Sequence, residues 1–454
     1  MALPVIVIFD VGKTNKKVLL YDEQYMLLEE ESIQLAETVD EDGFPTENIN
    51  ELRQWIKQEL SEILTRDDIY VKAINFSGYG ASFAYIDKTG RTIAPLYNYL
   101  KPYPEYLKKR FYDQYGGESK IAKETASPVL GSLNSGMQLY RLKYEQPQVY
   151  QHLKYALHLP QYLSFIVSGK PATDVSSVGC HTNLWDFQKH SYHKWVYAEE
   201  LYRKFAPLHH GDKITTAWIG RNRIRTGIGL HDSSAALIPY LAVFREPFIL
   251  LSTGTWNISL NPFNHKELTY EELKQDCLCY LTYEGRPVKA SRFFAGYEHG
   301  QHMKRLGDHF NKAKDYHESI QFNDLFFTNT GSLKERVLQT PFHEIDLNEF
   351  QTYEEAYHWM MRGIVKQQAE STDLVLRDTK VKRIFVDGGF GRNLIYMNLL
   401  AKAFPSIEVY AATIPQASAL GAALAIHRSW NKNPLPSNLV ELQYYTNTEM
   451  NFSI

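Results

Sequence analysis

Cysteine is scarce in this chain: Cys180, Cys277 and Cys279 are all there is in 454 residues. An odd number spread so widely excludes a disulfide framework and favours a reducing compartment. Cys277 and Cys279 flank one residue, so a strand would turn both to the same face. No second Cys/His pair with zinc spacing accompanies them, and they read as small buried hydrophobes. The sixteen histidines contain no His-Glu-x-x-His helix motif, and His209-His210 reads as a loop pair. Net charge is almost lacking, at −3 by formal count, which argues against nucleic acid or an anionic membrane as the main partner. Long apolar runs are missing too: Val5–Phe9 and Ala235–Ile238 are far too short to span a bilayer. The first residues lack the basic, apolar, small-residue order of a signal peptide, so a cytoplasmic location is expected.

What is present is enough apolar sequence, 44% of residues, to fill more than one core at this length, so two domains are expected, 1–240 and 241–454. The first third alternates strands and helices. Val5–Asp10 and Val18–Tyr21 read as strands, with a third from Met26–Leu28 toward Ile33. Asn48–Leu64 has apolar residues at helical spacing. Val71–Phe76 and Phe83–Ile86 read as strands, the first followed by a turn Ser77–Gly80, the second by a hairpin turn at Asp87–Gly90. Gly136–Arg203 reads as mostly helical, with Pro147 and Pro160 as breaks or first helical residues and Gly169 at a helix end. The second half predicts a helix over Tyr353–Leu376, a strand Arg383–Val386, a helix Asn393–Ala403 opened by Gly388–Gly391, a strand Glu408–Tyr410 and a last helix Ser418–Ser429. The pattern is α/β.

Two glycine-centred hairpins stand in opposite halves. The first runs from Val5–Asp10 through Gly12-Lys13-Thr14-Asn15 to Lys17–Leu20. The second runs from Phe248–Leu251 through Ser252-Thr253-Gly254-Thr255-Trp256 to Ile258–Leu260. Each joins an apolar strand to a turn whose N–H and O–H groups could hold phosphate oxygens. Either alone reads as an ordinary hairpin; together they suggest a nucleotide gripped between two lobes. Asp387-Gly388-Gly389-Phe390-Gly391-Arg392-Asn393 lies between a strand and a helix, a context that suits an anion. It lacks the Gly-Lys-Ser/Thr ending of a P-loop. Asp232, after Gly227-Ile228-Gly229-Leu230-His231, heads a helix of small residues. It reads as an N-cap, as a general base in a cleft, or as both. Asp10 would cap the first turn or approach phosphate through Mg²⁺. Tyr79, Gly80, Ser82 and Tyr99 lie where a sugar could sit.

In this order the segments resemble the FGGY family of carbohydrate kinases, within the actin/hexokinase/heat-shock ATPase superfold, over nearly the whole chain. The resemblance rests on Asp10–Lys17, on the stretch Tyr150–Trp185, on Ser252–Trp256, on Gly388–Asn393 and on Gln416–Ala423. Lys13 stands where a small or hydroxyl residue is usual, and Gln416 where Glu is. His231-Asp232-Ser233 with Ser252–Trp256 is most similar to the L-fuculose and L-rhamnulose kinase branch. The resemblance implies a two-domain actin-like, ribonuclease H-like ATPase fold with a cleft between the domains. It implies ATP and Mg²⁺, with Asp232 as catalytic base. Gly12, Lys13, Thr14, Asn15, Lys17, Gly254, Thr255, Gly388, Gly389 and Asn393 would then bind ATP, Asp10 the metal, and Gly80, Ser82, Tyr99, His231 and Asp232 the sugar. The implied partner is a small sugar, with no nucleic acid or membrane, and a homodimer is the assembly considered. Alternatives left open are a kinase for xylulose, ribulose or glycerol, and a catalytically silent sugar- or nucleotide-binding regulator. A filament-forming or chaperone-like ATPase is weakened by the helical segment on the sugar side.

Overall fold

A computed structural model describes residues 2–220, 222–327, 339–414 and 416–445. The first lobe is built on β1 (Leu3–Val11), β2 (Lys16–Asp22), β3 (Leu27–Ile33), β4 (Ile69–Gly78), β5 (Ile214–Ile219), β6 (Asn222–Gly227) and the short β7 (Leu230–His231). They form one sheet in the order β5-β6-β4-β1-β2-β3, with β7 alongside β4. The second lobe carries β8 (Phe248–Thr253), β9 (Asn257–Asn261), β10 (Cys277–Leu281), β11 (Pro287–Phe293), β12 (Arg383–Gly388), β13 (Glu408–Thr413) and β14 (Glu441–Tyr445). Their order is β10-β11-β9-β8-β12-β13-β14.

The two sheets share a plan. In each, a first strand pairs antiparallel with the second, that one antiparallel with another, and the first pairs parallel with a later strand on its other side. Thus β1 corresponds to β8, β2 to β9, β3 to β11 and β4 to β12. The recurrence of the glycine hairpin in sequence is the local trace of this duplication.

The continuous apolar run of β1 follows from burial on both faces. Val5, Val7, Phe9 and Val11 pack with Leu52, Trp55 and Ile56 of the helix Ile49–Leu64, whose Asn48 cap accepts from the Glu51 N–H. Ile6 and Ile8 face the other way. They join Leu250 of β8, Phe385 of β12 and Ala419, Ala422 and Ala423 of the helix Ala417–Ala425 in a core common to both lobes. Each fully buried side chain of this size contributes roughly 1.5–3 kcal/mol. Two helices cross there, Asp232–Ala236 and Ala417–Ala425. The approach is so close that a Cβ on Gly421 would lie 1.9 Å from the Ala235 carbonyl oxygen.

A helical insertion at 105–205 has its own core around Phe83, Tyr85, Phe111, Tyr140 and Trp195. It is less helical than its sequence suggests. Tyr155–His158 pairs with Phe83–Ile86, and the two-residue strands Thr173–Asp174 and Trp185–Asp186 break it further. His209 belongs to a short strand with Leu208, not a loop. The last helix ends at Ala425 and a separate turn follows over His427–Trp430. Ser77 and Gly78 extend β4 rather than open a turn. The helix Tyr353–Leu376 has the bounds its pattern predicts, and all three cysteines are buried and free. Among the described residues no helix is long and apolar enough to cross a membrane.

Candidate active site

Strands β1, β4 and β7 run parallel and end side by side, with Asp10 opposite Ser77 and His231 opposite Gly78. In α/β sheets ligands bind outside the carboxyl ends of such strands. Asp10, Gly80, His231 and Asp232 meet there. Asp232 is residue N1 of its helix; His231 occupies the cap position. Its Oδ1 is anchored, accepting from the Ser233 N–H at 2.6 Å and lying 3.3 Å from His231 Nε2. Among the described residues nothing bonds Oδ2. The side chain is 35% exposed, with one oxygen held and the other without a partner among the described residues.

The surroundings are dense. His231 is buried, its Nε2 3.0 Å from Cys180 Sγ and its ring against Tyr280. Burial lowers its pKa, opposed by the Asp232 charge, so the imidazole is neutral. Gly80 is what makes room for it: a Cβ there would sit 2.8 Å from His231 Cδ2. Tyr99 is half-buried, edge-on to Tyr79 at 6.0 Å between centroids. Burial first, then the charges of Asp232 and Glu47, raise its pKa. Ser82, by contrast, is buried and donates its hydroxyl to the Tyr97 carbonyl at 3.0 Å. It shapes this wall from behind.

Asp10 Oδ2 accepts from Ser418 Oγ at 2.7 Å, a bond between the lobes that the sequence reading did not single out. Burial raises the Asp10 pKa; hydrogen bonding from Ser418 and Ser77 opposes this and the nearby Asp232 carboxylate adds to it. The Asp232 charge thus makes the ionised form of Asp10 costlier, a cost that a cation beside it would relieve. Among the described residues no cluster of three or more His, Cys, Asp or Glu could hold a metal. A Mg²⁺ at Asp10 would therefore have few ligands from the described residues and would keep most of its waters, which is the habit of that ion.

The first turn is closed by the Gly12 N–H donating to the Asn15 carbonyl at 3.0 Å. Asn15 Oδ1 accepts from Gln34, and Thr14 is exposed. The Lys13 ammonium is paired with Glu37 at 2.6 Å. Lys17 bridges the lobes, reaching Glu30 at 2.8 Å and the Gln416 amide oxygen at 2.9 Å. In the second turn the Gly254 N–H donates to the Trp256 carbonyl, leaving Gly254 and Thr255 exposed. This turn is tied to the Asp387–Phe390 segment: the Thr253 hydroxyl donates to the Asp387 carbonyl at 2.6 Å and accepts from the Phe390 N–H at 3.1 Å. Gly388 continues β12 and the residues after it form a 3₁₀ turn, Gly389–Arg392, before the helix Leu394–Ala403. Asn393 caps that helix through its side-chain oxygen and donates its amide to Tyr357 at 2.7 Å.

Gly254, Gly389 and Asn393 line one cleft of about 680 Å³, with Gly296, His299 and Phe390. His299 and His317 were invisible as site residues in sequence because helix and turn bring them together only in the fold, at 5.4 Å between rings. Burial drives the His299 pKa down to about 4, with the His317 charge adding. The wall at His299 and Phe390 is thus aromatic and uncharged at neutral pH, while Glu318 and Arg392 line the cleft beside it. Tyr79, expected near the sugar, joins the site, as does Ser418 from the Gln416–Ala423 segment; Cys180, brought in beside His231, stands in no local motif that could have named it.

Comparison with known proteins identifies the family and the fold. The profile described as "FGGY family of carbohydrate kinases, N-terminal domain" matches residues 5–219, and "Carbohydrate kinase FGGY, C-terminal domain" matches residues 245–434. Among solved structures, a carbohydrate kinase from Novosphingobium aromaticivorans superposes with a TM-score of 0.80 at 24% identity, covering 98% of this chain and 95% of that one. A ligand-bound xylulose kinase from Lactobacillus acidophilus gives 0.80 at 15% identity, covering 98% and 94%. Plasmodium falciparum glycerol kinase with ADP gives 0.69 at 15%, covering 94% and 90%. At these identities the structures show the two-domain fold, while the profile matches, in order along both halves, go further: the chain belongs to the FGGY family of carbohydrate kinases and is a phosphotransferase.

Proposed function

We propose that the chain transfers the γ-phosphoryl group of MgATP to O1 of a ketose, with a deoxyketohexose such as L-fuculose or L-rhamnulose as the acceptor. The observation that carries this is the Asp232 carboxylate, with Oδ1 anchored and Oδ2 free at the end of the parallel strands. A hydroxyl placed at Oδ2 passes its proton there as the oxygen attacks phosphorus, and ADP leaves. Gly80 and the Tyr79–Tyr99 pair flank the acceptor, and His231 stays neutral beneath it. The exposed turns at Gly12–Asn15 and Gly254–Thr255 face the phosphates, and the cleft at Gly389, Phe390 and Asn393 receives the nucleoside. Lys13 and Lys17 would have to leave Glu37 and Glu30 to reach phosphate. Mg²⁺ beside Asp10 would neutralise charge on the phosphates.

The branch assignment rests on His231-Asp232-Ser233 and Ser252–Trp256. The names of the structural neighbours extend the acceptors to be tried to xylulose, gluconate and glycerol. The test is ADP release with MgATP and a panel of L-fuculose, L-rhamnulose, D-xylulose, D-ribulose, gluconate and glycerol, for the natural protein and Asp232→Asn. Loss of a general base should lower kcat by about 100-fold or more. Near-natural turnover in a folded Asp232→Asn protein, or release with none of the panel, would overturn the reading.

A further inference from the structure

Glu47 ends the short strand Pro45–Glu47 and is only 4% exposed. Its two carboxylate oxygens face different parts of the site. Oε1 takes the Lys16 ammonium at 2.5 Å. That ammonium, on a residue 1% exposed, also donates to the Lys13 carbonyl at 3.0 Å, so it pins the inside of the first turn. Oε2 accepts from the Tyr79 hydroxyl at 3.2 Å and lies 3.8 Å from the Lys13 ammonium on the outside of the same turn. Tyr79 is the ring against which Tyr99 stands, and its own N–H donates to the Val11 carbonyl just before the turn. The strand carrying Glu47 is held to the Tyr99 segment as well. The Thr46 hydroxyl donates to the Leu96 carbonyl, and the Asn98 amide donates to the Pro45 carbonyl at 3.0 Å.

Burying two opposite charges costs desolvation that a pair of apolar side chains would avoid. Here the pair sits at a junction rather than in the middle of a core, and each of its hydrogen bonds ends on a different element. We infer that Glu47 is a positioning residue: through Lys16 it fixes the donor-side turn 12–15, and through Tyr79 it fixes the acceptor-side pair Tyr79–Tyr99, so the two substrates are held in one register. This rests on the reading of that turn as facing phosphate and of Tyr99 as facing the acceptor. The effect of Glu47 passes through Lys16 and the more distant Lys13 on the donor side and through Tyr79 on the acceptor side.

Three variants separate the two arms: Lys16→Met, Tyr79→Phe and Glu47→Gln. The readouts are MgADP affinity by calorimetry, KM for the panel ketose that releases most ADP, and the unfolding midpoint. Lys16→Met should weaken MgADP by about 10-fold and leave the acceptor KM in place; Tyr79→Phe should raise the acceptor KM by about 5-fold, the scale of one hydrogen bond, and leave MgADP in place. Glu47→Gln should move both. A Glu47→Gln protein that moves neither or only one overturns the inference. So do three variants whose losses merely follow their unfolding midpoints, the mark of a plain stabilising ion pair. Should Glu47→Gln not fold, the other two decide: effects on opposite substrates sustain the coupling, and effects on the same substrate end it. Asp232→Asn is the control. Full turnover there fells the reading of the site, whereas a dead Asp232→Asn beside an unmoved Glu47→Gln fells only this inference.

Discussion

Gly80→Ala tests whether the buried histidine transmits position to Asp232, the proposed general base. The new methyl would lie 2.8 Å from His231 Cδ2, 3.0 Å from Nε2 and 3.3 Å from Cys180 Sγ. Carbon atoms pack comfortably at roughly 3.5–4.0 Å, so the ring must retreat by about 1 Å. It has little freedom to do so. Cys180 Sγ and Ser234 Oγ hold its two nitrogens at 3.0 and 3.4 Å, and Tyr280 packs on its face. Overpacking of this kind costs about 1–3 kcal/mol of stability. Asp232 is the next residue, and its anchored Oδ1 lies 3.3 Å from the same Nε2. Displacing a reacting group by about 1 Å can cost up to about 100-fold. The expected result is a kcat lower by about 10- to 100-fold with the MgATP KM within about twofold of natural. Steady-state ADP release with the best panel ketose measures the first pair of quantities, and urea unfolding the stability. Gly80→Ala/Cys180→Ala removes the sulfur that confines the ring and should recover part of kcat. A natural kcat in the single variant, or a double variant no faster than the single one, would refute the relay.

Two further outcomes follow from buried carboxylates. Asp174 is fully buried, and burial pushes its pKa up to about 6 despite hydrogen bonds from Ser176 and Ser177. A carboxyl raised in the folded state lends stability that is complete below its unfolded pKa and lost as pH climbs through the folded one. Asp174→Asn should therefore gain on the natural protein by about 2–3 kcal/mol between pH 4 and pH 7, read as a difference in unfolding free energy; a pH-independent difference would contradict the assignment. Ser418→Ala removes the 2.7 Å bond to Asp10 across the lobes, and should cost about 1–2 kcal/mol in urea unfolding at pH 7. Unchanged stability would mean that bond is not formed in solution.

Much of the first lobe was legible because its signals are local. The apolar run of β1, the helix expected over Asn48–Leu64 and the Asp87–Gly90 hairpin all depend on near neighbours in sequence. Asp232 was found as an acid ahead of small residues, and the reason for those small residues is now visible: Ala235 must accept a crossing helix at Gly421. What sequence could not show is what each side chain does with its polar atoms. Asn393 and Ser82 satisfy bonds within the protein, and Lys13 and Lys17 sit in ion pairs, because partners distant in sequence compete for the same groups. Glu47 escaped notice for the same reason, since its partners come from β2 and the segment after β4. The insertion misled the helical reading because strands two residues long have no periodicity to detect.

The tight crossing of Gly421 on Ala235 lies three residues past Asp232. A body turning about a fulcrum moves least near that fulcrum and most at its rim. Were one lobe to swing on the other about this contact, the proton acceptor would stay almost still while Gly254 and Gly389, far out on the opposite sheet, swept through the larger arc. On the proposed reading, the base would thus stay beside the alcohol while the half lining the nucleotide cleft did the travelling.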